Sequence, residues 1–380
     1  MENSNYLQAN QKLNLFSYHP QLAGIPFWHP AGLKLYNNLK NFIWDLHASR
    51  QYQQVKSPSI CPIEMFAQSG HLDKYRDLIY PVSDSLALRP MSCPNHIFIY
   101  NSRPRSYREL PFKLFEFGEV FRNEPSGSLQ SLFRLRQFCQ DDSHIFLSLD
   151  DLSQVINQYL LLSQEAYQKL KFEQVSYKIS LRPDNRAGSD QLWDQAESIL
   201  IKELSHLNPE IVPGDGAFYG PKLELHIKDH LNRSWQLGVL QLDFVLPEKF
   251  DLSFIDSQSK QSPIVIIHHA VLGSLERMIG ILLEIHGVNL PAFLHPYPQV
   301  VLPISEKFHG YADLINKKFN IPIDYNNAPL KEKIAFNHSR GSQIIVVGEK
   351  EENLYKQSQI FYGSYRQQKQ NVIKEITPIN

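Results

Sequence analysis

From Leu33 onward the apolar positions Leu33, Tyr36, Leu39, Phe42, Ile43 and Leu46 recur at steps of three and four, the spacing that gives a helix one buried face. The residues before Pro20 carry little periodic apolar content and read as an N-terminal extension, residues 1–20. A run rich in aromatic and apolar residues, Lys113 to Phe121, is followed by the polar stretch NEPSGSLQSL. The chain then returns through Phe133 to Phe138 and Ile145 to Phe146, so the pattern predicts a long β-hairpin with an extended loop. Helical spacing reappears over Leu152 to Leu170 and Gln191 to Leu204, strands are expected at Leu223 to Ile227 and Trp235 to Phe244, and a glycine-punctuated helix at Leu272 to Ile285. PAFLHPYPQ, Pro291 to Gln299, reads as a domain junction. Beyond it Val300 to Ile304, a helix through Asp313 to Phe319, Ile321 to Tyr325 and Ile344 to Val347 alternate strand and helix.

The 380 residues exceed what one compact core usually holds, which suits a large domain and a smaller one. With 42% hydrophobic and 20% charged residues the composition is globular, and a formal net charge of −1 means that any nucleic-acid partner must be held by local basic patches. The polar start, Met1 to Asn10, lacks the basic and apolar regions of a signal peptide. The most apolar runs, Ile264 to Ile267 and Ile344 to Val347, are too short to span a membrane. Cys61, Cys93 and Cys139, odd in number and widely spaced, make no disulfide framework and fit a reducing cytoplasm.

The strongest chemical signal lies on the hairpin, in FRNEPSGSLQSLFRLRQFCQDDSHIF, Phe121 to Phe146. Arg122, Arg134, Arg136, Glu124 and Phe138 occupy strand ends of a half-buried sheet, where unpaired charge is costly. Taken alone, the segment supports two readings. The arginines pair with nearby acids at the surface, or they are fixed cations for phosphoryl oxygens, beside an aromatic ring suited to a purine. Arg277, by its spacing alone, suits a helix-face salt bridge with Glu276 or Glu284.

This segment resembles motif 2 of the class II aminoacyl-tRNA synthetases, on their threonyl branch. The likeness runs in order through GIPFWHPAG, QVKSPSI with the motif 1 proline Pro58, SGHLDKYRD, RPMSCPNH, SYRELP, FRNEPSGS, QDDSHIF, RPDNRAGSD, GAFYGPKLEL, QLGVLQLDF and HHAVLGSLERMIG. It implies an α+β fold: an antiparallel sheet of six or seven strands flanked by helices over residues 21–291, dimeric through motif 1. A smaller α/β anticodon-binding-like domain is implied over 298–380. The implied activity is ATP-dependent formation of threonyl-adenylate, with Mg2+, and transfer to tRNA(Thr). By the same resemblance Arg122 bridges the substrate carboxylate and the ATP α-phosphate, and Arg277 of motif 3 holds the other side of ATP. Glu124 meets the adenine amino group and Phe138 stacks on its ring. Arg134, Lys222, Gln236 and Ser274 stand at nucleotide-contact positions.

Cys93, His144 and His268 are too far apart for any zinc-finger spacing, and from the residues alone a buried thiol and two core histidines are the plainer reading. The resemblance implies instead that they hold one Zn2+ with a coordination position open to substrate. Threonine would meet such an ion through its amine and hydroxyl, and valine, lacking the hydroxyl, would be rejected. Gln140, Asp142, Tyr219 and Gln241 match threonine-pocket positions, Asp142 as acceptor for the threonine hydroxyl. The neighbouring His269 is a competing ligand by type, but adjacent strand residues face opposite ways.

The family usually carries editing and ubiquitin-like domains ahead of the core, and little chain precedes motif 1 here, so seryl errors are expected to persist. Gln130, Ser131, Gln137, Asn95 and Val239 depart from the family's residues, and QSQIFYGSYRQQ replaces its arginine-rich anticodon-reading strands. Tyr355, Phe361, Tyr362 and Tyr365 either stack on bases or form the apolar face of a small sheet. Two alternatives to tRNA charging follow from these departures: transfer of threonine to another acceptor such as a carrier protein, and a non-catalytic tRNA-binding regulator.

Overall fold

The computed structural model describes residues 4–229, 231–367 and 370–379, so the ends of the extension and of the QSQIFYGSYRQQ segment lie outside the described residues. The chain gathers into two compact units. The larger comprises Tyr18–Phe27 and Leu39–Ile281. Its frame is an eight-stranded sheet of β1 (Gln53–Gln54), β2 (Phe112–Phe121), β3 (Gln137–Leu147), β4 (Val175–Ser180), β5 (Glu210–Val212), β6 (Lys222–Lys228), β7 (Ser234–Asp243) and β8 (Val265–Ala270). They lie in the order β1-β2-β3-β8-β7-β6-β4-β5. Every pair is antiparallel except β1 with β2 and β4 with β5, and these short edge strands raise the expected count to eight.

The predicted hairpin is β2 and β3, paired without a break from Phe112 opposite Phe146 to Phe121 opposite Gln137. The second strand starts at Gln137 rather than Phe133. A 3-10 turn occupies Ser131–Phe133, and the Phe133 ring stacks on Trp235 at 4.7 Å between centroids, which holds it out of the ladder. The helix Leu152–Lys169 buries Val155, Ile156, Tyr159, Leu162, Ala166 and Tyr167 along one stripe. Two of its tyrosines donate to the far end of β8 and the residue beyond, Tyr159 to the Ala270 carbonyl (3.1 Å) and Tyr167 to that of Val271 (2.7 Å).

A helix over Cys93–Tyr100 had no periodic signal, because Cys93, Pro94, Asn95, His96, Ile97 and Tyr100 are all buried and the element has no extended polar face. Pro94 in its first turn suits a helix start. The helix expected from Leu272 begins at Leu275. Gly273 takes φ +77, a left-handed turn that an L side chain would resist, and this turn redirects the chain from β8 into the helix Leu275–His286.

The second unit comprises Met1–Ser17, Trp28–Asn38 and Leu282–Asn380. The segment read as an extension contains the helix Asn5–Leu13, with Ala9 and Leu13 buried. Asn5 Nδ2 donates to the Glu284 carbonyl at 3.1 Å. A four-stranded sheet follows: β9 (Gln299–Pro303), β10 (Gln343–Val347), β11 (Tyr362–Gln367) and β12 (Gln370–Glu375), with β9 and β10 parallel and the rest antiparallel. Ile321–Tyr325 contributes only an isolated bridge, Ile323 to Val301. Pro322 in its middle has no N–H to give a ladder. Tyr365 is buried in this unit's core and Tyr355 and Phe361 pack against it, their rings 4.6 Å apart, so three of the four candidate stacking aromatics form the apolar side of the sheet.

Candidate active site

Strand register gathers the candidate residues. Across three neighbouring strands Gln241 on β7 lies opposite His268 on β8, and His268 lies opposite His144 on β3. Side chains directly opposite share a face, and along β3 the two-residue period puts Gln140 and Asp142 on the His144 side. One face of the sheet thus carries Gln140, Asp142, His144, Gln241 and His268. His269 points the other way: its Nε2 meets the Tyr52 hydroxyl at 2.7 Å and its ring stacks on His47.

Two cavities open on that face. A cavity of about 240 Å³ is lined by Cys93, Arg122, Gln140, Asp142, Tyr219, Gln241 and both facing histidines, among others. A second, of about 580 Å³, has Glu124, Arg134, Phe138, Lys222, Gln236, Ser274 and Arg277 in its wall. Arg122, Gln140 and Gln241 belong to both, so whatever occupies one lies next to whatever occupies the other.

In the smaller cavity one donor atom each from Cys93, His144 and His268 lies within 4.8 Å of the others, and all three residues are buried. Burial drives His144 well below its ordinary titration range, with His96 acting in the same direction, so the ring is neutral as ligation requires. Burial likewise pushes the Cys93 thiol well up, reinforced by Asp142 and Asp243, so only a strongly attracting cation would draw its proton off. His268 Nε2 donates to Asp243 Oδ2 at 2.8 Å, and the other oxygen of Asp243 accepts from the backbone N–H groups of Val245 and Leu246. One thiol and two imidazoles, one of them oriented by a carboxylate, make a donor set that suits Zn2+.

Around this centre the Tyr219 hydroxyl donates to Gln241 Oε1. Burial raises the Asp142 carboxyl. Two wall residues had no assigned role in the sequence. His71 places Nε2 3.9 Å from Cys93 Sγ while its Nδ1 meets Ser69 Oγ at 2.8 Å, and Tyr75 stands near it. The signal was the SGHLDKYRD segment, which was legible as a motif but silent about which side chain faces inward.

In the larger cavity Arg122 Nε donates to the Pro90 carbonyl at 3.2 Å, and its guanidinium carbon lies 5.2 Å from the Phe138 ring centroid. Glu124 accepts from Arg134 at 2.8 Å, so these two candidates form an ion pair. Lys222 pairs with Glu224 at 2.5 Å. Arg277 forms none of the expected salt bridges: its Nε is buried without a hydrogen-bond partner, and burial lowers its pKa. Glu276 turns instead to β3, where both its oxygens accept from the Cys139 N–H (3.2 and 3.0 Å). Ser274 Oγ caps the helix start by accepting from the Arg277 N–H at 3.0 Å.

The sequence family described as tRNA synthetase class II core domain (G, H, P, S and T) matches residues 78–286. The chain belongs to this family. Among curated relatives this chain is 38% identical over 362 residues to a threonine–tRNA ligase of Bordetella pertussis and 37% identical to one of Prochlorococcus marinus. Each alignment covers 92% of this chain but 56 and 57% of the relative, so the chain spans little more than half the length of the curated proteins it matches. A solved structure titled as the RNA binding domain of threonyl-tRNA synthetase from Cryptosporidium parvum superposes with a TM-score of 0.90 at 32% identity, covering 98% of this chain and 95% of that one. A putative threonyl-tRNA synthetase from Aeropyrum pernix gives 0.79 at 25% identity, covering 98% of this chain and 91% of that one. A prolyl-tRNA synthetase from Giardia lamblia, at 14% identity, shares the fold.

Proposed function

We propose that this chain activates L-threonine with ATP, in the presence of Mg2+, and transfers it to tRNA(Thr). The observation that carries the reading is the buried Cys93, His144 and His268 set in a cavity that shares Arg122 with a larger, basic cavity. A Zn2+ ion held by these three side chains would supply a Lewis-acid centre able to take an amine and a hydroxyl together. Asp142 accepts a hydrogen bond from the threonine hydroxyl, and Gln140, Tyr219 and Gln241 close the pocket around it. Arg122 stands where the substrate carboxylate meets the α-phosphate and steadies charge that develops as the carboxylate oxygen attacks phosphorus. Because Pro90 and the Phe138 ring already fix it, little reorganisation is needed at that moment. Arg277, half-buried with its Nε unpartnered, takes the opposite side of the nucleotide, Phe138 stacks on adenine, and Glu124, Arg134, Lys222, Gln236 and Ser274 complete its contacts.

In this reading residues 21–291 are the catalytic domain, dimeric through the Pro58 segment, residues 298–380 an anticodon-binding-like module, and residues 1–20 an extension to the core. The relatives favour tRNA as acceptor over a carrier protein, since those matched by sequence are named as tRNA ligases. Threonine-dependent exchange of pyrophosphate into ATP by the purified chain tests the activation step. Exchange driven by threonine is expected; exchange driven equally by proline or glycine would overturn the substrate.

A further inference from the structure

His144 and His268 each turn one ring nitrogen toward a buried partner, and the two partners differ. His268 reaches a carboxylate directly, at Asp243. His144 reaches one through a second histidine: its Nδ1 lies 2.8 Å from His96 Nδ1, and His96 Nε2 lies 3.1 Å from Glu116 Oε2. We propose that His96 is a positioning residue, which accepts the Nδ1 proton of His144 and donates to Glu116, so that His144 is locked with Nε2 facing the cavity as the metal donor. This inference rests on the zinc reading above.

The proton assignment follows from the partners. Glu116 is buried and held by both terminal nitrogens of Arg89 at 3.1 Å, by the Ser57 N–H at 2.8 Å and by the Ser57 hydroxyl at 2.7 Å. Facing four donors, it is an ionised acceptor, so His96 Nε2 carries a proton. His144 Nδ1 is engaged by His96, so Nε2 is the nitrogen left to face the cavity, and a donor there must be bare. The proton of the shared 2.8 Å contact then lies on His144 Nδ1, and His96 Nδ1 accepts it while its Nε2 donates to Glu116.

Backbone placement supports a positioning role. His96 sits one turn after Cys93 on the helix Cys93–Tyr100, so one short element delivers a ligand and the residue that orients another. Asn95, between them, donates to the Ser57 hydroxyl at 3.0 Å and the Pro58 carbonyl at 2.9 Å. Outer partners of this kind fix the tautomer and raise the basicity of a ligating imidazole, and losing one costs about 10- to 100-fold in metal affinity.

The test is zinc affinity of the full purified chain, by competition with a chromophoric chelator, together with the visible spectrum of the cobalt(II) form. His96→Leu should weaken zinc binding about 10- to 100-fold and alter the cobalt bands. His96→Asn, whose carbonyl oxygen falls where Nδ1 was, should stay within a few-fold of the parent. Zinc held through Cys93, shown by its loss in Cys93→Ser, but unchanged in His96→Leu would refute the role of His96 and leave the zinc reading standing. Equal weakening in the Leu and Asn variants, the pattern of lost packing, would refute it too. A parent chain that takes up no zinc would overturn the zinc reading and this inference together.

Discussion

Arg122→Ala should separate catalysis from stability. Among the described residues the side chain's one hydrogen bond is Nε to the Pro90 carbonyl, and its guanidinium lies over Phe138. Losing a single such bond costs about 0.5–1.5 kcal/mol. In a domain of this size class 1 kcal/mol moves the melting temperature by roughly 2–4 °C, so the variant should remain folded at assay temperature. In the proposed mechanism the same guanidinium, which lines both cavities, is aimed where charge develops between carboxylate and α-phosphate. Removing one preorganised donor costs on the order of a hundred- to a thousandfold in rate, or about 2.7–4 kcal/mol. Arg122→Lys should recover only part of this, since a point charge cannot reproduce a planar fork. Pyrophosphate exchange and a thermal melt on the same preparations measure both quantities. Exchange by Arg122→Ala within a few-fold of the parent would refute the placement of the reacting centre between the cavities.

Valine should be activated about ten-thousandfold less well than threonine, because it leaves Asp142 and the metal position unpartnered, whereas serine, lacking only a methyl, should lose about 10- to 200-fold; pyrophosphate exchange with each amino acid measures this, and equal use of valine and serine would contradict it. Burial alone would raise the Glu116 carboxyl, but hydrogen bonds from His96, Arg89 and Ser57 outweigh it and bring it down to about 2. A carboxylate depressed in the fold contributes stability that is present above its ordinary pKa of 4.5 and is lost as pH falls toward 2. Urea unfolding across that window should show a steeper acid loss in the parent than in Glu116→Gln, and parallel curves would refute it. Trp193→Ala, removing a fully buried ring on the buried face of the helix Asp190–Leu204, should cost about 3–5 kcal/mol in the same assay.

What the sequence made legible followed from periodicity. Leu33 to Leu46 lies within the helix Pro30–Ala48, whose buried stripe runs through Leu35, Leu39, Ile43 and Leu46, while Leu33, read as the start of that stripe, is 50% exposed. The hairpin was legible because its strands are long and its loop is polar. In the helix Cys93–Tyr100 the polar Asn95 and His96 are buried while Phe98 is exposed, and every residue of the strand Val265–Ala270 is buried, so no period survives in either segment. The candidate ligands were legible only through resemblance. Their convergence is set by the register that places His268 opposite His144 and by the helix start that brings Cys93 to them, and neither is written in spacing along the chain. Arg277 shows the opposite failure: neighbouring acids made a salt bridge the simple expectation, yet Glu276 is committed to the Cys139 N–H and the Arg277 Nε is buried without a partner among the described residues.

The central claim is transfer of threonine to tRNA, and charging measures it most directly. Purified chain, ATP, Mg2+, labelled threonine and total tRNA should yield acid-precipitable, base-labile threonyl-tRNA, at a rate that collapses in Arg122→Ala. Threonine-dependent pyrophosphate exchange without any label reaching tRNA would contradict the account, leaving an adenylating enzyme with another acceptor.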